Sequence, residues 1–474
     1  MFHNSRILIN DGWQFRFEGG SLVHVDLPHT WNRFDTMETD PDRHYRRGTG
    51  LYTRDLPALD KNRRWFIHVG AAAMRASLYQ NRRLLTTHMG GYTPFEAELL
   101  HAGGQIRIEV DNLSDVDLIP SDRSDFFLYG GLTRNVWLYS TGRTRLVHLH
   151  LLPALRREHE RGAYLADLKV SGLIDGEPDQ GLELQLTIDD QAGEQLLTAV
   201  RPLADSRFDF DLSQIPNPRL WSPAEPNLYT VRAALIRQGE VEDQVIDRIG
   251  FRSFDFPAGG PFYLNGERLL LRGTHRHEDW AGLGSAVPDE LSRQELAQIK
   301  AAGFNFVRLG HYPQAEAVLD ACDALGLIVW EEIPWCRGGV GGERFKAGTQ
   351  AMLEEMIHHH FNRPSILFWG IGNELDWESD HPQNSDDDVF AFLKVLHKMS
   401  HRLDPSRLTA LRRYDRGANV VDVYSPSIWS GWYRGRYEDY EAVLKDAMTR
   451  FPRMIHTEWG GDSHVGRHGA GPHL

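Results

Sequence analysis

The stretch SILFWGIGNELDW, Ser365–Trp377, runs apolar from Ile366 to Ile371, is spaced by glycines, and closes on Asn373 and Glu374. A short apolar run bounded by turn residues suits a strand covered on both faces, as in a parallel sheet. It predicts the fourth strand of a βα barrel. In such barrels the reacting groups sit where strands end and βα loops begin, so Glu374 would be delivered to the mouth.

Outward from this strand, strands and helices alternate from about Pro257 onward. The segments RLLLRG, NFVRLG, LIVWEEI, SILFWGIG, LTALR, VVDVYS and RMIHTE predict seven strands, with amphipathic helices such as DELSRQELAQIKAAG and DVFAFLKVLHKMSHRL between them. Upstream the texture differs. From Trp13 to Leu138, short alternating runs (RWFIHV, ASLYQ, QIRIEV) are cut by turn signals, which predicts a jelly-roll β-sandwich. From Leu146 to Phe256, AYLADLKVSGLI, LELQLTI and YTVRAALIR predict an immunoglobulin-like sandwich. The expected architecture is multidomain β plus α/β: a jelly roll over 1–144, an immunoglobulin-like β-sandwich over 145–256, and a (β/α)8 TIM barrel over 257–474 that lacks its eighth strand.

Composition narrows the class of function. The 474 residues are 41% hydrophobic and 25% charged, with 52 Lys+Arg against 66 Asp+Glu and a formal charge of −14. Such a balance, with no long basic run, excludes a nucleic-acid partner. No apolar segment reaches 18 residues, and MFHNSRILINDGWQF lacks the apolar region of a signal peptide. The expectation is no membrane partner, with cytoplasmic and periplasmic locations both open. Two cysteines, Cys322 and Cys336, are too few for a disulfide scaffold and predict buried free thiols.

A second acid has the same placement as the first. MIHTEWGGDS puts Glu458 at the end of the seventh strand, followed by glycines. Two carboxyl groups facing each other across a barrel mouth are what glycoside hydrolysis needs, one to protonate the leaving oxygen and one to attack carbon or activate water. Asn373 adds an amide for a sugar hydroxyl. Trp335, Trp369, Trp377, Trp429 and Trp459 stand near strand ends, where an indole face suits the apolar face of a pyranose.

The motifs LPHTWN, GTGLYTRDL, GGYTPFEAEL, DFFLYGGLTRNVWL, LWSPAEPNLYTV, LNGERLLLRGTHRHED, GFNFVRLGHYP, NRPSILFWGIGNE and TEWGGDSHVGRH follow one another in order over most of the chain. In this the chain resembles glycoside hydrolase family 2, the group of β-galactosidases, β-glucuronidases and β-mannosidases. The resemblance implies a retaining exo-β-glycosidase acting on oligosaccharides, with Glu374 as general acid/base and Glu458 as nucleophile. Burial and the Glu458 charge would raise the pKa of Glu374. The resemblance also makes Asp125, His277 and His311 sugar contacts. Arg308 ends the second strand, where charge-assisted hydrogen bonds would let it hold a carboxylate at the mouth, in a structural or a substrate-directed role. With Trp335 and Arg337 where metal-dependent relatives carry Glu and His, the resemblance implies no metal and no cofactor. SIWSGWY stands where glucuronidases carry a supporting Tyr, which leaves the Trp429 indole to support the nucleophile. His358–His360 fall on the helix before the fourth strand. A β-galactosidase is the expected activity, with a β-glucuronidase or a non-catalytic carbohydrate-binding relative as alternatives, and a homo-oligomer as an open assembly.

Overall fold

The computed structural model describes residues 1–38, 45–157, 164–178 and 181–461. The part of TEWGGDSHVGRH beyond Gly461 lies outside them. The architecture is a β-rich multidomain chain ending in a barrel-type parallel sheet.

In the first sandwich a six-stranded sheet, in the order 23–25, 13–17, 49–55, 105–111, 75–80 and 83–89, faces a four-stranded one. Alternation places one face of each strand inward. Trp13, Tyr52, Ile67, Ile108 and Leu138 are buried between the layers. The second sandwich pairs a three-stranded sheet with a five-stranded one, and Leu182–Asp189 shows the expected period of two, with Leu182, Leu184, Leu186 and Ile188 buried. The five-stranded sheet also takes in Phe2–His3, which pair with Ile246 and Val245. Chain termini of one sandwich thus complete the ladder of the next.

The third unit is a parallel sheet of β1 (Gly273–Arg276), β2 (Phe306–Leu309), β3 (Ile328–Glu332), β4 (Ile366–Asn373), β5 (Leu408–Arg412) and β6 (Val423–Ser425), in chain order. Helices α1 (Asp289–Ala301), α2 (Glu316–Leu325), α3 (Glu343–His360), α4 (Asp386–Leu403) and α5 (Tyr440–Arg450) cover its outer face. All eight residues of β4 are buried, as a strand covered on both faces demands. α2 stops at Gly326, whose φ of +68° is the left-handed cap that favours glycine.

Two strands differ from expectation. β1 is not RLLLRG but the following GTHR. Leu269 and Leu271 pack on the apolar cluster at the barrel base while Leu270 is exposed, and ladder pairing starts only at Gly273 with Phe306. A Cβ on Gly273 would lie 2.2 Å from the Phe306 carbonyl oxygen, so the close approach requires glycine. RMIHTE makes a single parallel bridge, Tyr424 to Met454, rather than a full strand. Side chains take over from there: Ser425 Oγ lies 2.9 Å from Thr457 Oγ1, which aligns Glu458 beside β6. Among the described residues no eighth strand follows.

Candidate active site

The C-terminal ends of β2 to β5 carry Arg308, Glu332, Asn373 with Glu374, and Arg412; Asn373 and Arg412 are paired in the parallel ladder, while Arg308 is level with Trp330 and Glu332 with Gly370. Each is at most 5% exposed. Buried charges must be paired, and here they are paired with one another. Arg308 donates to Glu332 Oε1 at 2.9 Å, to Asn373 Oδ1 at 2.9 Å and to Glu458 Oε1 at 2.6 Å. Glu332 also accepts from the Trp330 indole at 2.7 Å and meets His311 Nδ1 at 2.5 Å.

Arg412 connects the two candidate reacting acids. Its Nη2 lies 2.6 Å from Glu458 Oε2 and its Nη1 donates to Glu374 Oε1. Glu374 further accepts from Arg337 Nε at 2.6 Å and from Arg413 Nη1 at 3.0 Å. Burial alone would push the Glu374 carboxyl up, but the Arg412 and Arg337 charges outweigh it and hold the pKa below the ordinary value. This corrects the expectation of a raised pKa: the Arg412 and Arg337 guanidinium groups outweigh burial. Glu332, deeper and facing fewer cations, is raised by burial against the pull of Arg308.

Glu374, Arg337 and Arg413 share a further property. Their φ values are +53°, +60° and +51°, in the left-handed region that residues with a Cβ avoid. Each such residue costs on the order of 1 kcal/mol, and concentration of strain in one cluster is a mark of functional sites. The Glu374 N–H still donates to Arg412 O at 2.9 Å, so the turn is fixed against β5.

The first sandwich reaches this mouth. Its loop 121–125 sends Asp125 to Arg337 at 2.8 Å, Ser124 Oγ to the Cys336 carbonyl at 3.0 Å, and Arg123 to Glu378 at 2.7 Å and Asp380 at 2.5 Å. Asp125 itself is half exposed. Phe126 packs on His277 and His311, with ring centres 5.7 and 5.9 Å away. Both histidines are pushed down, first by burial; for His311 Arg308 is the next cause, whereas for His277 the Asp125 charge pulls the other way.

Three expected residues do other work. Trp335 is fully buried, its indole N–H donates to Gly339 O at 2.7 Å, and its ring meets Phe392 edge-on, so it belongs to the core under α4 and not to a sugar platform. Trp369 is likewise buried, donating to Asp404 at 3.0 Å. Trp429 packs edge-on against Tyr433, and Glu458 takes its grip from Arg308 and Arg412; an aromatic N–H is displaced from that role by two charges that reach the carboxylate directly. Two indoles stay exposed beside the reacting acids: Trp459, next to Glu458, and Trp377, with Arg337 and Arg413 over its ring at 4.3 and 5.1 Å. His358 is remote, stacked on His148 and His150 of the second sandwich. Both cysteines are free and buried, and burial lifts the Cys336 thiol to about 12.

Glu332, Arg412 and Arg413 are site residues that the sequence analysis does not single out, although they carry the same signal as Glu374: charge closing an apolar strand, in IVWEE and LTALRR. Arg337, in the loop after β3, carries no such signal.

A parallel sheet with paired acids at its C-terminal edge, roofed by a sandwich loop, defines a carbohydrate-hydrolase-type scaffold. The TIM-barrel model of glycosyl hydrolases family 2 matches residues 258–471, and a second model of that family matches 159–252. The chain belongs to glycosyl hydrolases family 2. A Formosa agariphila protein provisionally named a β-glucuronidase is 41% identical over 455 residues, covering 94% of this chain and 54% of its own. The apo structure of Bacteroides uniformis β-glucuronidase 3 superposes with a TM-score of 0.91 at 38% identity, over 98% of this chain and 63% of that one. A β-galactosidase of Thermoanaerobacter pseudethanolicus is 30% identical over 88% of this chain and 55% of its own. The chain thus spans about half to three-fifths of the length of these relatives.

Proposed function

We propose that this chain is the catalytic part of a retaining exo-β-glycosidase that acts on β-glucuronides. The observation that carries the reading is the shared guanidinium of Arg412, which holds Glu374 and Glu458 as immediate neighbours. Retention needs carboxyl groups about 5–5.5 Å apart, whereas inversion needs room for a water between them. Glu458 attacks the anomeric carbon as the bond to the leaving oxygen breaks, and Glu374 donates its proton to that oxygen. Glu374 then takes a proton from water, which attacks the glycosyl ester and frees Glu458. Arg308 and Arg412 aim the Glu458 carboxylate, while His277, His311, Asp125 and Asn373 meet sugar hydroxyls.

The preference for a uronate over galactose rests on charge. Arg337, Arg412 and Arg413 crowd one carboxylate, Glu374, and a sugar acid entering there would compete for them. Drawing a guanidinium away would let the Glu374 pKa rise toward the range a general acid needs. The relatives named β-glucuronidases, at 38% and 41% identity, stand nearer than the β-galactosidase at 30%. The galactosidase expectation therefore gives way to its alternative.

The test is kcat/KM for aryl β-D-glucuronide against aryl β-D-galactoside. A clear preference for the glucuronide is expected; equal or better use of the galactoside overturns the uronate assignment, and turnover of neither overturns the glycosidase.

A further inference from the structure

We propose that the cavity between the second sandwich and the base of the barrel is a binding site for a small organic carboxylate with an apolar tail, held by Arg252. The cavity has a volume of about 200 Å3. It lies at the N-terminal ends of β4 and β5, opposite the edge that carries Glu374. Three segments enclose it: the sandwich strand Arg145–Arg157, the turn 361–364 between α3 and β4, and Ser406 with Arg407 before β5. Arg252 enters from the linker that follows the strand Glu240–Ile249.

Charge is what singles Arg252 out. Its Nε donates to Pro364 O at 2.5 Å and its Nη2 to Ile366 O at 2.9 Å, two carbonyls without net charge. Among the described residues no carboxylate bonds to it, and its Nη1 has no acceptor. The neighbouring guanidinium groups are paired: Arg407 meets Asp404 at 2.6 Å, and Arg363 meets Asp320 at 2.5 Å and Asp323 at 3.1 Å. Asp404 and Asp323, the acids whose fields reach Arg252, are therefore already engaged. Burial pushes its pKa down to about 9, which leaves it charged at neutral pH. A buried charge without a counter-ion is costly, and an anion in the cavity supplies one.

The walls select the anion. Among the described residues that line the cavity none is acidic. Leu152, Leu155, Phe254, Phe361 and Pro364 give it an apolar side, and Ser253 Oγ stands there with no hydrogen bond among the described residues. A carboxylate takes two parallel N–H···O bonds from the open end of a guanidinium and lays its tail against such walls. Phosphate would bring a second charge that this single free cation leaves unmatched. An apolar cavity of about 150 Å3 accepts benzene, so benzoate has the size and the class of a probe.

Benzoate, the uncharged benzamide and inorganic phosphate are titrated into the full chain by calorimetry, with Tm followed in parallel. One benzoate per chain and a benzoate-dependent rise in Tm are expected, with weaker binding of phosphate and none of benzamide. Arg252→Gln should weaken benzoate binding by about tenfold or more, the scale of a lost charge-assisted bond. Ala154→Phe fills the cavity from its exposed lip, leaves Arg252 in place, and should do the same. Circular dichroism and the ligand-free Tm show which variants fold. Arg337→Gln controls for benzoate held by the arginines of the barrel mouth, and should change nothing. No benzoate binding, equal binding of benzamide, binding retained in a folded Arg252→Gln or Ala154→Phe, or binding lost in Arg337→Gln overturns the site. Phosphate binding as tight as that of benzoate overturns the carboxylate assignment. Glycoside turnover is no part of the readout, so either result leaves the glycosidase reading to its own test.

Discussion

Glu374 and Glu458 are joined through one side chain, Arg412, whose two terminal nitrogens each meet one of the acids. A planar fork can do this and a lysine ammonium cannot. Arg412→Lys keeps the charge but loses the double grip. It should cut kcat/KM on aryl β-glucuronide by about 100-fold, the scale of a misplaced reacting group. A loss of less than about threefold would show that the bridge does not set the geometry.

Glu458→Gln removes the nucleophile while retaining size and hydrogen bonding. Turnover should fall by on the order of 10³-fold or more, while a substrate analogue still binds. Binding titration alongside steady-state kinetics separates these, and persistent turnover would reassign Glu458.

The lowered pKa of Glu374 makes a stability prediction with a definite sign. A carboxyl whose folded pKa is depressed adds stability that is present above its unfolded value, about 4.3, and is lost as pH falls through the folded value. Urea midpoints measured from pH 6 down to pH 3 should fall more steeply for the wild type than for Glu374→Gln. Parallel profiles would mean that the arginine cluster does not charge-stabilise Glu374.

Glu332→Gln strips one of two charge partners from Arg308, which is completely buried and keeps only Glu458. Breaking a buried pair on one side costs about 3–5 kcal/mol. A drop of several degrees in Tm is expected, and Arg123→Ala offers the contrast: its pairs with Glu378 and Asp380 lie at the rim, where solvent screens them, and its loss should leave Tm nearly unchanged. If Arg123→Ala destabilises as much as Glu332→Gln, the sandwich loop is a structural clamp rather than a rim contact.

The barrel was legible because parallel strands are apolar throughout, and the run closing on Glu374 could be read as nothing else once helices flanked it. β1 was misplaced because Leu269 and Leu271 mimic a strand while packing on the barrel base, a distinction that burial makes and hydropathy does not. At the mouth, residue types were visible but partners were not. Arg412 meets Glu458 across 46 positions of chain, and Arg337 meets Asp125 across 212, distances at which periodicity carries no information. The Glu374 pKa was misread for the same reason: a local string shows the burial of an acid but not the cations that tertiary folding brings to it.

The pairing of Phe2–His3 with residues 245–246 has a consequence for the order in which the molecule assembles. His3 Nδ1 meets Asp243 Oδ1 at 2.9 Å across 240 positions, so the whole first sandwich lies inside the loop closed by that ladder. During synthesis the first strand waits for a partner made some 240 residues later. Contacts this distant in sequence slow folding, because loop-closure entropy is lost before the contact forms. The two sandwiches are thus nested, not strung in series, and the last rung of the second seals the first.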